Sequence, residues 1–174
     1  MQLKLLVLDL DQTLVDCKSW WSYRMPNIKS KDLYLYRTDE VFTVFLRPNA
    51  AEFLQRLRAM PEIVVVLWSA GDQEYVYEVL DKLVLPAAGR DVYFDIICTR
   101  NNGQHKDVAR LAEIYGTEKY LLVDDNARSY CYDEREWEEH FYEMPRFDVA
   151  NGHSVANDVC LMDVFEHPFF DKIV

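Results

Sequence analysis

Apolar runs in this chain end on polar or acidic residues, and the ending recurs. Leu5-Leu6-Val7-Leu8 passes straight into Asp9-Leu10-Asp11-Gln12-Thr13, Ile63-Val64-Val65-Val66-Leu67-Trp68 stops at Ser69, and Tyr120-Leu121-Leu122-Val123 stops at Asp124 and Asp125. Short unbroken apolar runs with β-branched residues predict strands buried on both faces, as in parallel sheets. Val92 to Cys98 predicts another strand, with Asn102-Gly103 as a turn, and Phe141 to Met144 a further one that Pro145 ends. Between these runs the spacing becomes helical. Pro48 suits a first helical position, and Asn49 to Met60 sets Phe53, Leu54 and Leu57 on one face before Pro61. Asp72 predicts an N-cap for a helix through Tyr75, Val76, Val79, Leu80 and Leu83, which Pro86 ends. From about Lys106 to Tyr115 a third helix groups Val108, Leu111, Ala112 and Tyr115, with Gly116 as its stop, and Val155 to Phe165 repeats the helical spacing.

Strands alternating with helices predict an α/β fold: a doubly wound, Rossmann-like parallel sheet with right-handed crossovers and helices on both faces. One segment breaks the alternation. After Thr13, residues from about 16 to 46 carry Trp20, Trp21, Tyr23, Pro26, Tyr34 and Tyr36 without a clean period at first. Tyr34 to Arg37 and Val41 to Leu46, on either side of Thr38-Asp39-Glu40, then predict a short β-hairpin, a flap in place of a large cap domain. Its aromatic rings either cover the edge of the core or contact a substrate.

Composition narrows the class. Half of the 174 residues are hydrophobic and only 5 are Gly, with no linker or repeat, so residues 1–174 are expected to form a single domain around one core. The apolar runs are too short to cross a bilayer and Met1-Gln2-Leu3-Lys4 lacks the form of a secretory signal, so an intracellular monomer, cytoplasmic or nuclear, is expected. Cys17, Cys98, Cys131 and Cys160 have neither zinc nor redox spacing and read as reduced thiols. The net charge of −11 argues against a nucleic-acid partner, although Arg37, Arg47, Arg56, Arg58, Arg100 and Lys106 are candidates for a local basic patch.

The acidic endings carry the chemistry. Side chains alternate along a strand, so Asp9 and Asp11 leave on one side. In open parallel sheets ligands bind beyond the carboxyl ends of the strands, which brings Asp9, Asp11, Ser69, Asp124 and Asp125 to one rim. Carboxylates so crowded need a cation, and the hard oxygen donors suit Mg²⁺, which also takes phosphate oxygens. A carboxylate beside such an ion can attack phosphorus to give an aspartyl-phosphate.

Asp9-Leu10-Asp11-Gln12-Thr13, Ser69, Lys106 and Asp124-Asp125 occur in the order of the four motifs of the haloacid dehalogenase superfamily, which the chain resembles. The resemblance implies that Asp9 is nucleophile and metal ligand and that Asp11 is general acid and base with its backbone carbonyl on the metal. It implies further that Ser69 binds phosphoryl oxygens, that Lys106 balances charge, that Asp124 completes the Mg²⁺ site and that Asp125 supports it. Leu46-Arg47-Pro48, Glu52-Phe53-Leu54 and Lys106-Asp107 extend the resemblance to the FCP/SCP-type phosphatases, which act on the C-terminal domain of RNA polymerase II. Trp68-Ser69-Ala70 stands where that branch has Phe-Thr-Ala, Gln12 where it has Glu, and Asp125-Asn126 is closer to the magnesium-dependent phosphotyrosine-type phosphatases. These departures leave the substrate open.

The expected activity is therefore hydrolysis of a phosphomonoester on a protein, at serine, threonine or tyrosine, with Thr13, Asn126, Trp20 and Trp21 as supporting or substrate-contacting residues and Arg128 as a further candidate. Two other readings stand beside it: a small-metabolite or nucleotide phosphatase, and a catalytically silent binding domain, against which the intact Asp9 and Asp11 count. His105 is assigned no role, and the acidic run Asp133 to Glu139 is expected to be a solvated face.

Overall fold

The apolar run at the start of the chain becomes the central strand of the main sheet. The computed structural model describes residues 2–19, 32–36, 41–102, 105–149 and 158–171, with the backbone alone for 32–36 and Asn102. Its strands are β1 (Lys4–Leu8), β2 (Val15–Ser19), β3 (Asp32–Tyr36), β4 (Val41–Leu46), β5 (Ile63–Trp68), β6 (Ile96–Cys98), β7 (Tyr120–Asp124) and β8 (Phe141–Glu143). Five of them form one sheet in the order β6-β5-β1-β7-β8, and each neighbouring pair is parallel. Every residue of β1 is buried, as a strand covered on both faces requires. Leu6, Leu8, Val65, Leu67, Leu121 and Val123 belong to one cluster, under α1 (Ala50–Arg58) and α2 (Gln73–Val79). Leu5, Val7, Val66, Trp68 and Leu122 belong to the other, which α4 (Val108–Ile114) closes with Val108 and Ala112. The sheet with helices on both faces is the α/β architecture expected from the sequence.

Local chemistry sets where elements start and stop. Asp72 caps α2 by accepting the Tyr75 amide at 2.9 Å. Gly116, at φ 64°, ends α4, and the Thr117 amide closes it onto the Ala112 carbonyl at 3.0 Å. Two boundaries differ from expectation. Pro48 lies in the turn before α1, because Asn49 adopts φ 64° ahead of the helix and sends its amide group to the Asp158 carbonyl at 2.7 Å instead of capping. Pro86 does not end the second helix. After α2 the chain widens into a π-helical turn, Leu80–Val84, and continues as α3 (Leu85–Ala88), with Pro86, which has no N–H to give to the preceding turn, placed directly after the wider one.

The strand expected over Val92 to Cys98 is confined to β6. Asp95 is joined to β5 from both sides, its amide donating to the Val65 carbonyl at 2.8 Å and its carboxylate accepting the Val65 amide at 2.7 Å. β8 matches the expected fifth strand. At the C-terminal end the described part of the expected helix is α6 (Cys160–Asp163), which runs on as a 3-10 turn, Val164–Glu166, after α5 (Trp137–His140) has preceded β8.

The insertion forms a second, antiparallel sheet in the order β2-β4-β3. The hairpin of β3 and β4 was legible in the alternation; β2 was not. Trp20, Trp21, Tyr23 and Arg37 lie outside the described residues. Among the described residues no helix is long and apolar enough to cross a membrane.

Candidate active site

The site grows from the loop that leaves β1. Asp9 is still tied to the sheet through its amide, which donates to the Val123 carbonyl at 3.0 Å. The chain then turns tightly: Leu14 and Val15 both donate to the Leu10 carbonyl, at 2.8 and 3.0 Å, and Gln12 takes φ 64°. Thr13 is buried at the turn, and its hydroxyl accepts the Asp125 amide at 3.1 Å, which locks the loop after β1 to the loop after β7.

Asp9, Asp124 and Lys106 meet beneath this loop. All three are buried, and the Lys106 ammonium donates to Asp9 Oδ1 at 2.5 Å and to Asp124 Oδ2. Burial pushes the Asp9 carboxyl up to about 7, against the pull of the Lys106 charge; Asp124 and Asp11 add to the rise. Lys106 itself is drawn above its ordinary value by the two carboxylates, which outweigh its own burial. Asp124 Oδ1 accepts the Asn126 amide at 2.7 Å, so both oxygens of that carboxylate are fixed.

Carboxylate oxygens of Asp9, Asp124 and Asp125 lie within 4.8 Å of one another. One buried ammonium and Arg146, 3.6 Å from Asp125 and largely exposed, face these three acids and Asp11. The surplus of negative charge on hard oxygen donors fits a divalent cation such as Mg²⁺.

Asp11 is held apart from that cluster. Its carboxylate accepts from the Tyr75 hydroxyl at one oxygen and from Ser69 Oγ at 3.4 Å at the other. Burial raises its pKa, although the Tyr75 and Ser69 hydrogen bonds favour the charged form. Ser69 is fully buried at the end of β5; its amide donates to the Cys98 carbonyl at 3.0 Å and its Oγ accepts the Gly71 amide at 3.0 Å. Gly71 has to be small: a Cβ there would lie 2.9 Å from Tyr75 Cδ1 and 3.1 Å from Ser69 Oγ.

The structure thus brings Asp9, Asp11, Ser69, Lys106, Asp124, Asp125 and Thr13 to one rim. Asn126 contributes its backbone amide while its side chain is exposed. Arg128 turns to Glu134, at 2.8 Å, and stacks over Trp137 at 4.5 Å. His105 packs against Tyr130 and Tyr132 and shares a 2.9 Å hydrogen bond with the Tyr132 hydroxyl. The basic patch does not assemble among the described residues. Arg47 is buried between Asp158, Thr13 and Pro145, Arg56 lies over Phe165, and Arg58 pairs with Asp95. Tyr75, the one functional candidate the sequence did not offer, read as a core position on its helix.

Comparison with known proteins shows the family and the fold. The family described as NLI interacting factor-like phosphatase matches residues 4–167. No curated protein matches. The solved structure of Fcp1, an essential RNA polymerase II CTD phosphatase, is similar with a TM-score of 0.55 and 18% identity, over 84% of this chain and 42% of that one. A fission yeast RNA polymerase II CTD phosphatase Fcp1 variant bound to beryllium fluoride gives a TM-score of 0.59 and 14% identity, over 97% of this chain and 53% of that one. The chain therefore spans about half the length of these structures or less, and at such identities the likeness shows the fold.

Proposed function

We propose, because this chain belongs to the NLI interacting factor-like phosphatase family, that it is a Mg²⁺-dependent protein phosphatase working through an aspartyl-phosphate on Asp9. The observation that carries the reading is the buried Lys106 ammonium joining Asp9 to Asp124, with Asp11 held separately by Tyr75 and Ser69. Asp9 attacks phosphorus while the bond to the leaving oxygen breaks, and Asp11 gives that oxygen a proton. Asp11 then takes a proton from the water that attacks the aspartyl-phosphate, which releases phosphate and restores Asp9. Lys106 balances charge on nucleophile and phosphoryl group, and Ser69 stands beside Asp11 to meet a phosphoryl oxygen. Asp9, Asp124 and the Asp11 carbonyl would hold Mg²⁺, with Asp125 in support; when bound, the ion supplies Lewis-acid charge to the phosphoryl oxygens.

A protein substrate is favoured by the open rim: between β5 and Lys106 the chain has room for α2, α3 and β6 but for no cap domain. A bulky substrate then does the excluding of water that a cap would do. The Fcp1 structures, named as phosphatases of the RNA polymerase II C-terminal domain, point the same way. A panel of phosphoserine, phosphothreonine and phosphotyrosine peptides set against sugar phosphates and nucleotides, in Mg²⁺ and in excess chelator, tests the proposal. Turnover of peptides that disappears with chelator is expected. Preference for small metabolites overturns the substrate class, activity in chelator overturns the metal, and silence with every substrate points to a binding domain.

A further inference from the structure

Resting on that reading of Asp11, we infer that Tyr75 is the residue that positions the acid and base of this site. The placement is built from several directions. Asp72 fixes the start of α2 by accepting the Tyr75 amide at 2.9 Å, which anchors Tyr75 in the first turn of the helix that follows β5. Gly71 leaves room for that ring, since a side chain there would collide with Tyr75 Cδ1 at 2.9 Å. The ring packs on the core while its hydroxyl reaches Asp11, across 64 residues of sequence. Both oxygens of Asp11 then carry one donor each, Tyr75 on Oδ1 and Ser69 on Oδ2.

The two donors are unequal. Ser69 Oγ, which accepts the Gly71 amide, donates to Asp11 from 3.4 Å, near the long limit of a hydrogen bond, so it holds Asp11 weakly. Tyr75 has a rigid ring and a single hydroxyl torsion, and it anchors Oδ1 of the carboxylate. Asp11 follows the non-glycine residue Leu10 into a turn where Gln12 already sits at φ 64°, and its side chain projects from a short loop with no sheet partner of its own beyond the bridge to Val15. Without Tyr75 that carboxylate is held only by the long Ser69 contact and can swing away from the leaving oxygen, and proton transfer needs hydrogen-bond reach at the moment of bond cleavage. Tyr75 touches Asp11 and not the phosphorus, so it is a positioning residue.

Tyr75→Phe keeps the ring and removes the hydroxyl, and it separates positioning from packing. The value of kcat/KM covers the steps up to departure of the leaving group, so it reports acid catalysis without the later hydrolysis of the aspartyl-phosphate. With Mg²⁺, the variant is expected to lose about tenfold in kcat/KM for an alkyl phosphate, a fraction of the roughly 10²- to 10⁴-fold that acid–base catalysis supplies. For an aryl phosphate with a very good leaving group the loss should be less than about twofold, because little protonation is needed. Asp11→Asn run beside it should show the same selectivity, only larger. Crystal structures of wild type and Tyr75→Phe supply a reading independent of turnover: in the variant the Asp11 carboxylate should leave its native rotamer. Equal losses on the two substrates, or an Asp11 that keeps its rotamer in Tyr75→Phe, overturns the positioning role. An Asp11→Asn enzyme without leaving-group selectivity instead overturns the reading of Asp11 as the acid, and the crystallographic result still decides what Tyr75 holds.

Discussion

A buried lysine between two aspartates is costly to assemble and costlier to break. Each charge on Lys106, Asp9 and Asp124 has lost its water, and the ion pairs and hydrogen bonds among them offset that loss only while all three are present. Lys106→Met removes the cation and leaves two carboxylates facing each other. In chelator the variant is expected to be less stable by about 3–5 kcal/mol, which for a chain of this size lowers Tm by roughly 10 °C. Mg²⁺ should restore much of that loss and raise the Tm of the variant more than that of the wild type, because a divalent ion takes over the neutralisation. Calorimetry of both proteins with and without Mg²⁺ checks this; a variant that melts with the wild type in chelator would show that Lys106 does not balance these acids. At this scale the sequence was largely readable. Asp9, Asp11, Ser69, Lys106 and Asp124 each stand at the end of an apolar run or the start of a helix, and motif order singled them out. Tyr75 was not, because a tyrosine in an apolar helical stripe looks like packing, and no local signal reports that its hydroxyl bonds a residue far away in sequence. Arg47 failed for the same reason: an arginine after a strand looks solvated, yet this one is buried against Asp158 and the Thr13 carbonyl.

Among the elements, strands that are buried on both faces announced themselves, and in the small sheet the β3–β4 hairpin did so by alternation while β2 did not. β1, β5 and β7 are continuous apolar runs, whereas β2 reads Val-Asp-Cys-Lys-Ser and is held by its pairing with β4. Its Asp16 is buried, accepts the Val149 amide at 2.9 Å and meets Lys18 at 3.2 Å, and in this way it fastens the 147–149 segment to the small sheet. Burial raises the Asp16 pKa; the Val149 amide and Lys18 oppose the rise, and Asp148 adds to it. A carboxyl raised in the folded state binds more protons there than in the unfolded chain, so its contribution to stability is full at pH below 3.8 and is lost as pH rises through the folded value. Asp16→Asn cannot ionise. The difference in Tm between wild type and Asp16→Asn should therefore shift against the wild type as pH is raised from below that value, and thermal melts over a pH series measure it. A difference that does not change with pH would mean that Asp16 titrates as an exposed carboxyl. The helices were read less well at their ends than in their middles. Periodicity found α2, but whether Pro86 stops a helix depends on the π-helical turn before it, which no apolar spacing encodes.

For the molecule as a whole, the net charge of −11 surrounds the site proposed to receive a phosphate dianion. The local and the global fields oppose each other. Lys106, and a divalent cation where the site holds one, would attract phosphate at short range, but a substrate approaching from solution first meets the field of the whole protein, which repels anions over about a Debye length. Among the described residues the basic side chains that could have formed an attractive patch are largely spent elsewhere, Arg47 inside the fold and Arg58 on Asp95; Arg100, exposed with its Nε on the Ala70 carbonyl at 2.8 Å, and Arg146, 3.6 Å from Asp125, remain near the site. Association should then depend on the charge of the peptide around the phosphate. Raising the ionic strength from about 0.01 M to about 0.1 M shortens the Debye length from about 30 Å to about 10 Å. At constant Mg²⁺ this is expected to increase kcat/KM severalfold for a phosphopeptide with acidic flanks and to decrease it for one with basic flanks, with kcat nearly constant for both. The basic peptide should be preferred at low salt and the preference should shrink as salt rises. Salt responses of the same sign and size for the two peptides would mean that the rim alone, through Lys106 and the metal, sets the field that the substrate feels.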